Sequence, residues 1–233
     1  MNLSVRMSEI VKYVPKGSKV IDVGTDHAYV PIYLRKNKIA ASVLATDVNK
    51  GPLEKAAKNI AKYKVDNIAL KHTSGLEGIN YYVPDVVMIS GMGGFLVIDI
   101  IKASLELVNK VSRLILQPQH DIDEVRKYIH SIGFKIIDES MVYDAGKYYV
   151  VIVCEHGIES YENEYEYTYG KKLIENRQDI FKEWINMTIN RNNTILENIK
   201  AAADNETSES YVRRRDELVK EINTLQHVQN IIK

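Results

Sequence analysis

The sequence has a single cysteine, Cys154, so an intramolecular disulfide framework is impossible and a reducing cytoplasm is the expected compartment. Long apolar runs are missing as well. None approaches the ~20 residues that a membrane span needs. The opening MNLSVRMSEIVKYVPKG meets charges early and holds no continuous apolar stretch, so it is not expected to act as a signal peptide. A net charge of either sign is absent, because 31 Lys and Arg balance 31 Asp and Glu. That balance argues against a protein that simply coats nucleic acid. No low-complexity segment or internal repeat is detectable, and no metal site is expected.

With 233 residues and 45% hydrophobic content, the chain can bury the core of one full domain and still carry an appendage. Charge is uneven along it. Residues 1–71 hold 13 Lys and Arg against 6 Asp and Glu, with Lys12, Lys16, Lys19, the RKNK run at 35–38, Lys50, Lys55, Lys58, Lys62 and Lys64 contributing. Such an excess is either a solvated set of helix faces or a phosphate-contacting surface.

Short apolar runs rich in β-branched residues at 18–23, 42–47, 67–71, 85–90 and 112–117 read as buried strands. Helical stretches lie at 4–13, 31–37, 51–63, 94–109 and 121–132. This alternation predicts an α/β fold with a parallel sheet and helices on both faces. After Gly133, two longer strand-like runs joined around Asp144–Gly146 predict an antiparallel hairpin on the sheet edge. Composition shifts near residue 158 into a tyrosine-rich stretch. Helices are expected beyond it at 171–202 and 208–232, the second with a heptad seam of Leu218, Ile222, Leu225, Gln229 and Ile232. NETSES at 205–210 separates them, so an antiparallel helical hairpin is the expected shape.

The loop after the first strand reads VIDVGTDHAYVP. A dinucleotide fingerprint needs glycine at the first, third and sixth places of G-x-G-x-x-G, and here those places hold Gly24, Asp26 and Tyr29. Two of the three fail, and an NAD reading becomes unattractive. Asp22, two residues before the glycine, suits a ligand with a cationic amino group beside a ribose, which is the shape of S-adenosylmethionine. Asp47 closes the second strand 23 residues beyond Gly24, the spacing at which an acid reaches a ribose diol. Ser74 in TSGLEG and the glycines of SGMGG extend the path along successive strand ends, where open α/β sheets bind ligands. Pro31 belongs in the first turn of a helix, so residues 26–29 should arch over the cofactor as a loop.

The combination of LSVRM at 3–7, DVGTDHAYVPIYL at 22–34, DVNKGP at 47–52, SGMGG at 90–94, LILQP at 114–118 and a final helical hairpin resembles the bacterial tRNA (adenine(22)-N1)-methyltransferase family. The resemblance implies a class I, Rossmann-like methyltransferase domain over 1–158 and a helical coiled-coil domain over 159–233. It implies S-adenosyl-L-methionine as cofactor and N1 of adenine 22 in the D-arm of tRNA as acceptor. Onto this sequence it carries Asp22, Gly24, Thr25, Asp47, Val48, Ser74, Gly75, Leu76, Gly91, Met92 and Gly93 as cofactor-binding residues. Asp26, His27 and Tyr29 fall in catalytic positions, and Arg6, Gln117 and Pro118 in substrate-binding ones. The chain departs from the family at three places, with Asp47 for the usual Glu, Ser74 for the usual Asp, and Gln119 for the usual Asn.

Adenine N1 carries its own lone pair, so alignment and exclusion of water are expected to do most of the catalysis. Asp26 would stabilise the cationic product base, His27 would help receive the N6 proton, and Tyr29 would stack on a flipped-out adenine. From the residues alone, a small-molecule methyltransferase and a non-enzymatic assembly module stay open as alternatives. The heptad seam reads as an intramolecular helix pair in a monomer, or as a dimer interface. Arg213, Arg214 and Arg215 either grip phosphate or pair with Glu209, Asp216 and Glu217.

Overall fold

The computed structural model describes residues 2–202 and 209–233. Two compact units form, 1–162 and 163–233. The first begins with α1 (Val5–Lys12), β1 (Ser18–Val23), α2 (Tyr29–Lys36), β2 (Ala40–Asp47), α3 (Lys50–Tyr63) and β3 (Ile68–His72). It continues with β4 (Val86–Met92), α4 (Gly94–Ala103), α5 (Leu105–Val108), β5 (Arg113–Pro118), α6 (Ile122–Ser131), β6 (Phe134–Asp144) and β7 (Lys147–His156). The strands make one seven-stranded sheet in the order β3-β2-β1-β4-β5-β7-β6. β1 to β5 are parallel, while β7 runs antiparallel to both β5 and β6.

The apolar runs fall where the sheet is covered on both faces. Val20, Ile21, Val86, Val87, Ile89, Leu114 and Leu116 are all within 1% of complete burial, as central parallel strands must be when helices lie above and below. On one face Val20, Val43, Val86, Met88 and Ile115 pack with Ile10 and Val11 of α1 and Val30 and Leu34 of α2. The alternate residues of the same strands turn to the other face, where Val97 and Ile101 of α4 and Val125 and Ile129 of α6 are also buried. The strand order reverses direction at β1 and β4. Crossovers to opposite sides leave a crevice there, outside the carboxyl ends of the strands.

Two expected helices are interrupted. The stretch at 94–109 breaks at Ser104, whose carbonyl accepts from Leu107 N–H and Val108 N–H at 3.0 Å each and so starts α5 afresh. The stretch at 171–202 breaks at Arg177, held in the left-handed region at φ 50°. It becomes α8 (Lys171–Asn176) and α9 (Asp179–Ala202), preceded by α7 (Glu164–Tyr169), which forms inside the tyrosine-rich stretch, and followed by α10 (Glu209–Ile232). The Asn163 side chain and Glu166 close a capping box that sets α7's start. The first unit keeps Glu159 and Tyr161: Glu159 accepts from Ile136 N–H at 2.9 Å, and Tyr161 is buried.

α9 and α10 are antiparallel. Gln229 donates to Asn186 Oδ1 at 2.6 Å near one end, and the Tyr211 hydroxyl donates to Ile199 O near the other. Leu218, Ile222, Leu225 and Ile232 are buried, but the fourth seam position belongs to Val228 rather than Gln229. The buried stripe is thus spaced 4-3-3-4 and meets the heptad again at Ile232. Of NETSES, 205–208 lie outside the described residues. Arg213 and Arg214 approach Glu217 at 3.9 and 3.4 Å, and Arg215 bonds Asp216 at 2.9 Å, so these arginines form acid pairs along an exposed helix.

Candidate functional site

Two cavities at the carboxyl ends of the parallel strands share Gly24, Ser90 and Gly91 and together make one trough. The larger part, about 350 Å³, lies over β1, β2 and β4, with Asp47, Val48, Ser74, Gly75, Met92, Leu96 and Ile100 in its walls. The smaller, about 190 Å³, is bounded by Arg6, Met7, Asp22, Asp26, Val30 and Gln119.

β1 delivers Asp22 to the junction. The strand is hydrogen-bonded on both sides, and Asp22 pairs with Ala45 and Met88, so its carboxyl is buried to 5% exposure. Burial pushes its pKa up to about 7; the neighbouring Thr25 hydroxyl pulls the other way, and the charges of Asp26 and Asp47 add to the rise. The chain then turns at Gly24, with φ 72°. Gly24 and Thr25 both give their N–H groups to Thr46 O, at 2.8 and 2.9 Å. A Cβ at Gly24 would stand 2.2 Å from Met92 Cε. Glycine is needed here for the backbone, since the Met92 methyl is the far end of a flexible side chain that can swing aside.

The loop that follows is wound tightly. His27 and Ala28 both sit at φ 58°, a left-handed pair that non-glycine residues adopt only when their surroundings hold them there. Ala28 is completely buried against Ile32 and Ala56, and Asn59 of α3 donates to His27 O at 2.9 Å. The result is an Asp26 side chain on the trough with His27 behind it, Nε2 3.2 Å from Asp26 Oδ1. The Tyr29 ring stacks on His27 at 5.7 Å. Tyr29 is already the first residue of α2, and Pro31 sits in its first turn.

Asp47 ends β2 with Oδ1 accepting from Asn49 N–H at 2.7 Å, which fixes the carboxylate at the wall. Val48 beside it is 61% exposed. Arg6 enters from α1. Its Nη1 donates to Gln117 Oε1 at 2.8 Å, and its guanidinium lies 5.2 Å from the centre of the Tyr149 ring. Gln117 Oε1 also accepts from Gly91 N–H at 3.1 Å.

The trough therefore brings together Arg6, Asp22, Gly24, Asp26, Asp47, Val48, Ser74, Gly75, Gly91 and Met92. Other residues marked by the sequence stand outside its walls. Thr25, Leu76, Gln117 and Pro118 are buried, and Gln117 reaches the trough only through Arg6 and Gly91. Gly93 packs under His120, whose ring would lie 2.5 Å from a Cβ there. Ser90, Leu96, Ile100, Met7 and Val30 were not singled out by the sequence. Ser90 and Met7 lie inside the quoted motifs, whereas Leu96 and Ile100 follow from the helical spacing of α4, one turn apart on its trough-facing side.

A methyltransferase domain family matches residues 3–152. Among curated proteins, the chain is similar to the tRNA (adenine(22)-N(1))-methyltransferase of Bacillus subtilis, 30% identical over 232 residues, covering 95% of this chain and 97% of that one. Among solved structures it is similar to Streptococcus pneumoniae Sp1610 in complex with S-adenosyl-L-methionine, at TM-score 0.82 and 28% identity over 98% of this chain and 100% of that one. It is also similar to TrmK of M. capricolum in complex with S-adenosyl-homocysteine, at TM-score 0.84 and 25% identity over 99% of each chain.

Proposed function

We infer the residue roles from the premise that this chain belongs to the tRNA (adenine(22)-N1)-methyltransferase family: it is an enzyme that transfers a methyl group from S-adenosyl-L-methionine to N1 of adenine 22 in tRNA. The observation that carries the assignment of roles is the convergence of Asp22, Asp26 and Asp47 on one trough, joined across Gly24, Ser90 and Gly91.

The residues fit the cofactor. A buried carboxyl at Asp22, raised to about 7 by burial and by two neighbouring acids, is a site for a positive charge, which the ligand's ammonium supplies. Asp47, with one oxygen anchored, offers the other to the ribose hydroxyls as a charge-assisted acceptor. Val48 and Leu96 would supply apolar contacts for the adenine ring, and Ser74 with Gly75 polar ones. Thr25, Leu76, Met92 and Gly93 support these walls. The cofactor supplies an electrophilic methyl group at a sulfonium centre.

The smaller cavity takes the acceptor adenine. Its N1 lone pair points at the methyl group and needs no base to expose it, so alignment by the walls carries the rate. Asp26 faces the base as positive charge develops on it, and accepts the N6 proton at its carboxylate. His27 Nε2 at 3.2 Å takes that proton onward. Tyr29 stiffens the imidazole and presents a face for stacking. Arg6 holds the rim, and Gln117 and Pro118 position Arg6 and Gly91 rather than touch RNA. The enzyme acts as a cytoplasmic monomer, a reading supported by the burial of the α10 seam within its own unit. Among the described residues no helix is long and apolar enough to cross a membrane.

The test is incubation with labelled S-adenosylmethionine and unmodified tRNA, followed by mapping of the modified base. Label at N1 of adenine 22, lost when that base is replaced by guanine, is the expected result. Absence of label in tRNA bearing adenine 22 would overturn the reading.

A further inference from the structure

β6 and β7 are longer than the sheet they complete. β5 pairs with β7 only up to Leu116↔Ile152, yet β6 and β7 continue through Ser140↔Val151, Met141↔Val150, Val142↔Tyr149, Tyr143↔Tyr148 and Asp144↔Lys147. β7 is antiparallel to β5, so this extension projects from β5's carboxyl end, the end at which the trough opens. At ~3.4 Å per residue, Tyr148 stands about 14 Å beyond the last β5 pair. A two-stranded ribbon contributes little stability alone, so its length calls for another explanation.

The ribbon's end is built and anchored. Ala145 and Gly146, at φ 48° and 84°, make the doubly left-handed turn that matches strand twist. Asp144 is tied to the start of α1 by a hydrogen bond with the Ser4 side chain and by Arg6 N–H, donated to Asp144 Oδ2 at 3.1 Å. Arg6 is the same residue that lines the trough and bonds Gln117, so ribbon tip, α1 and trough rim form one connected frame. On the tip, Tyr143 and Tyr148 form a cross-strand ring pair with centroids 4.8 Å apart, and Tyr143 remains 50% exposed. Exposed Lys147 adjoins them.

We propose that the Tyr143–Tyr148 pair is a stacking platform for an unpaired base of the tRNA next to the adenine that enters the trough. The proposal rests on the tRNA methyltransferase reading. Flipping one nucleotide unstacks its neighbour, and an aromatic face with a nearby cation recovers that stacking without regard to base identity.

Tyr143→Ala is expected to raise the KM for tRNA roughly tenfold, leaving the cofactor Kd and the turnover at saturating tRNA unchanged. Tyr143→Phe keeps the ring and restores the wild-type KM. Tyr81→Ala is the control: Tyr81 is 66% exposed but its ring lies 4.9 Å from Lys71 Nζ of β3, the sheet edge opposite β6, and its loss should change nothing. Thermal melts of all three confirm folding. An unchanged KM in Tyr143→Ala, or an equal rise in Tyr81→Ala, overturns the platform while the methylation reading stands. Failure of the wild-type protein to methylate any tRNA overturns both.

Discussion

At the scale of single residues, the chemistry turns on how two carboxylates, Asp22 and Asp26, are treated differently by their surroundings. Asp22 is buried and has its pKa raised to about 7, against ~3.9 in an unfolded chain. A raised acid binds its proton more tightly in the folded state. Its contribution to stability is therefore complete below pH ~4 and is lost as pH rises towards 7, at up to ~1.4 kcal/mol per unit. Asp22→Asn in the cofactor-free protein should melt higher than wild type, by a margin that widens between pH 5 and 7 and levels off above, while cofactor affinity falls. A constant margin in melts across that range would contradict the burial effect. Asp26 is open to the trough, and Asp26→Asn keeps its shape without its charge. Turnover should fall on the order of 10² to 10³-fold, with cofactor Kd nearly unchanged, because the charge matters most when the base turns cationic. Single-turnover kinetics beside calorimetry separates the two quantities.

At the scale of elements, the hinge between ribbon and rim is Asp144. Its carboxyl lies below the usual range because it bonds the Ser4 side chain and accepts from Arg6 N–H. A depressed acid stabilises above its unfolded pKa of ~3.9 and loses that contribution as pH falls below it. Asp144→Ala should cost about 1 kcal/mol, as loss of a helix cap does, and should raise the KM for tRNA by loosening Arg6; melts and steady-state kinetics check both. The strands were legible in the sequence because a central parallel strand, buried on both faces, needs an apolar run, and β1, β2, β4 and β5 have one each; β3, the edge strand with no buried residue, shows only the shorter run Ile68–Leu70. Asp22 and Asp47 were legible for a related reason, since the last two residues of such a strand fall at the open end of the sheet. Arg177 in the left-handed region was not legible, because a helix break at an arginine leaves no compositional mark. The bond between Arg6 and Gln117 joins residues 111 positions apart, which local pattern does not reveal. Gln117 reads as a strand-end polar residue, and its complete burial and its bonds to Arg6 and Gly91 leave no mark in the local pattern.

At the scale of the whole molecule, every wall of the trough comes from residues 6–100 and 119, inside the unit 1–162. A fragment ending at Glu162 should therefore fold and bind S-adenosylmethionine with nearly the affinity of the full chain. Removing two 24-residue helices, each about 36 Å long, should weaken tRNA binding and methylation; titration calorimetry and gel shift measure the two. The same unit contains Cys154, completely buried in β7 opposite Leu114 and Ile136. Burial and the charges of Glu139 and Glu159 push its thiol well above the ordinary value. The protein thus carries an internal clock for its own opening. A thiol reagent should modify it only when β7 parts from its neighbours, so the native-state labelling rate, read against denaturant, reports the free energy of that separation. Protection that deepens when cofactor is added would register binding to the folded state without any label on the ligand.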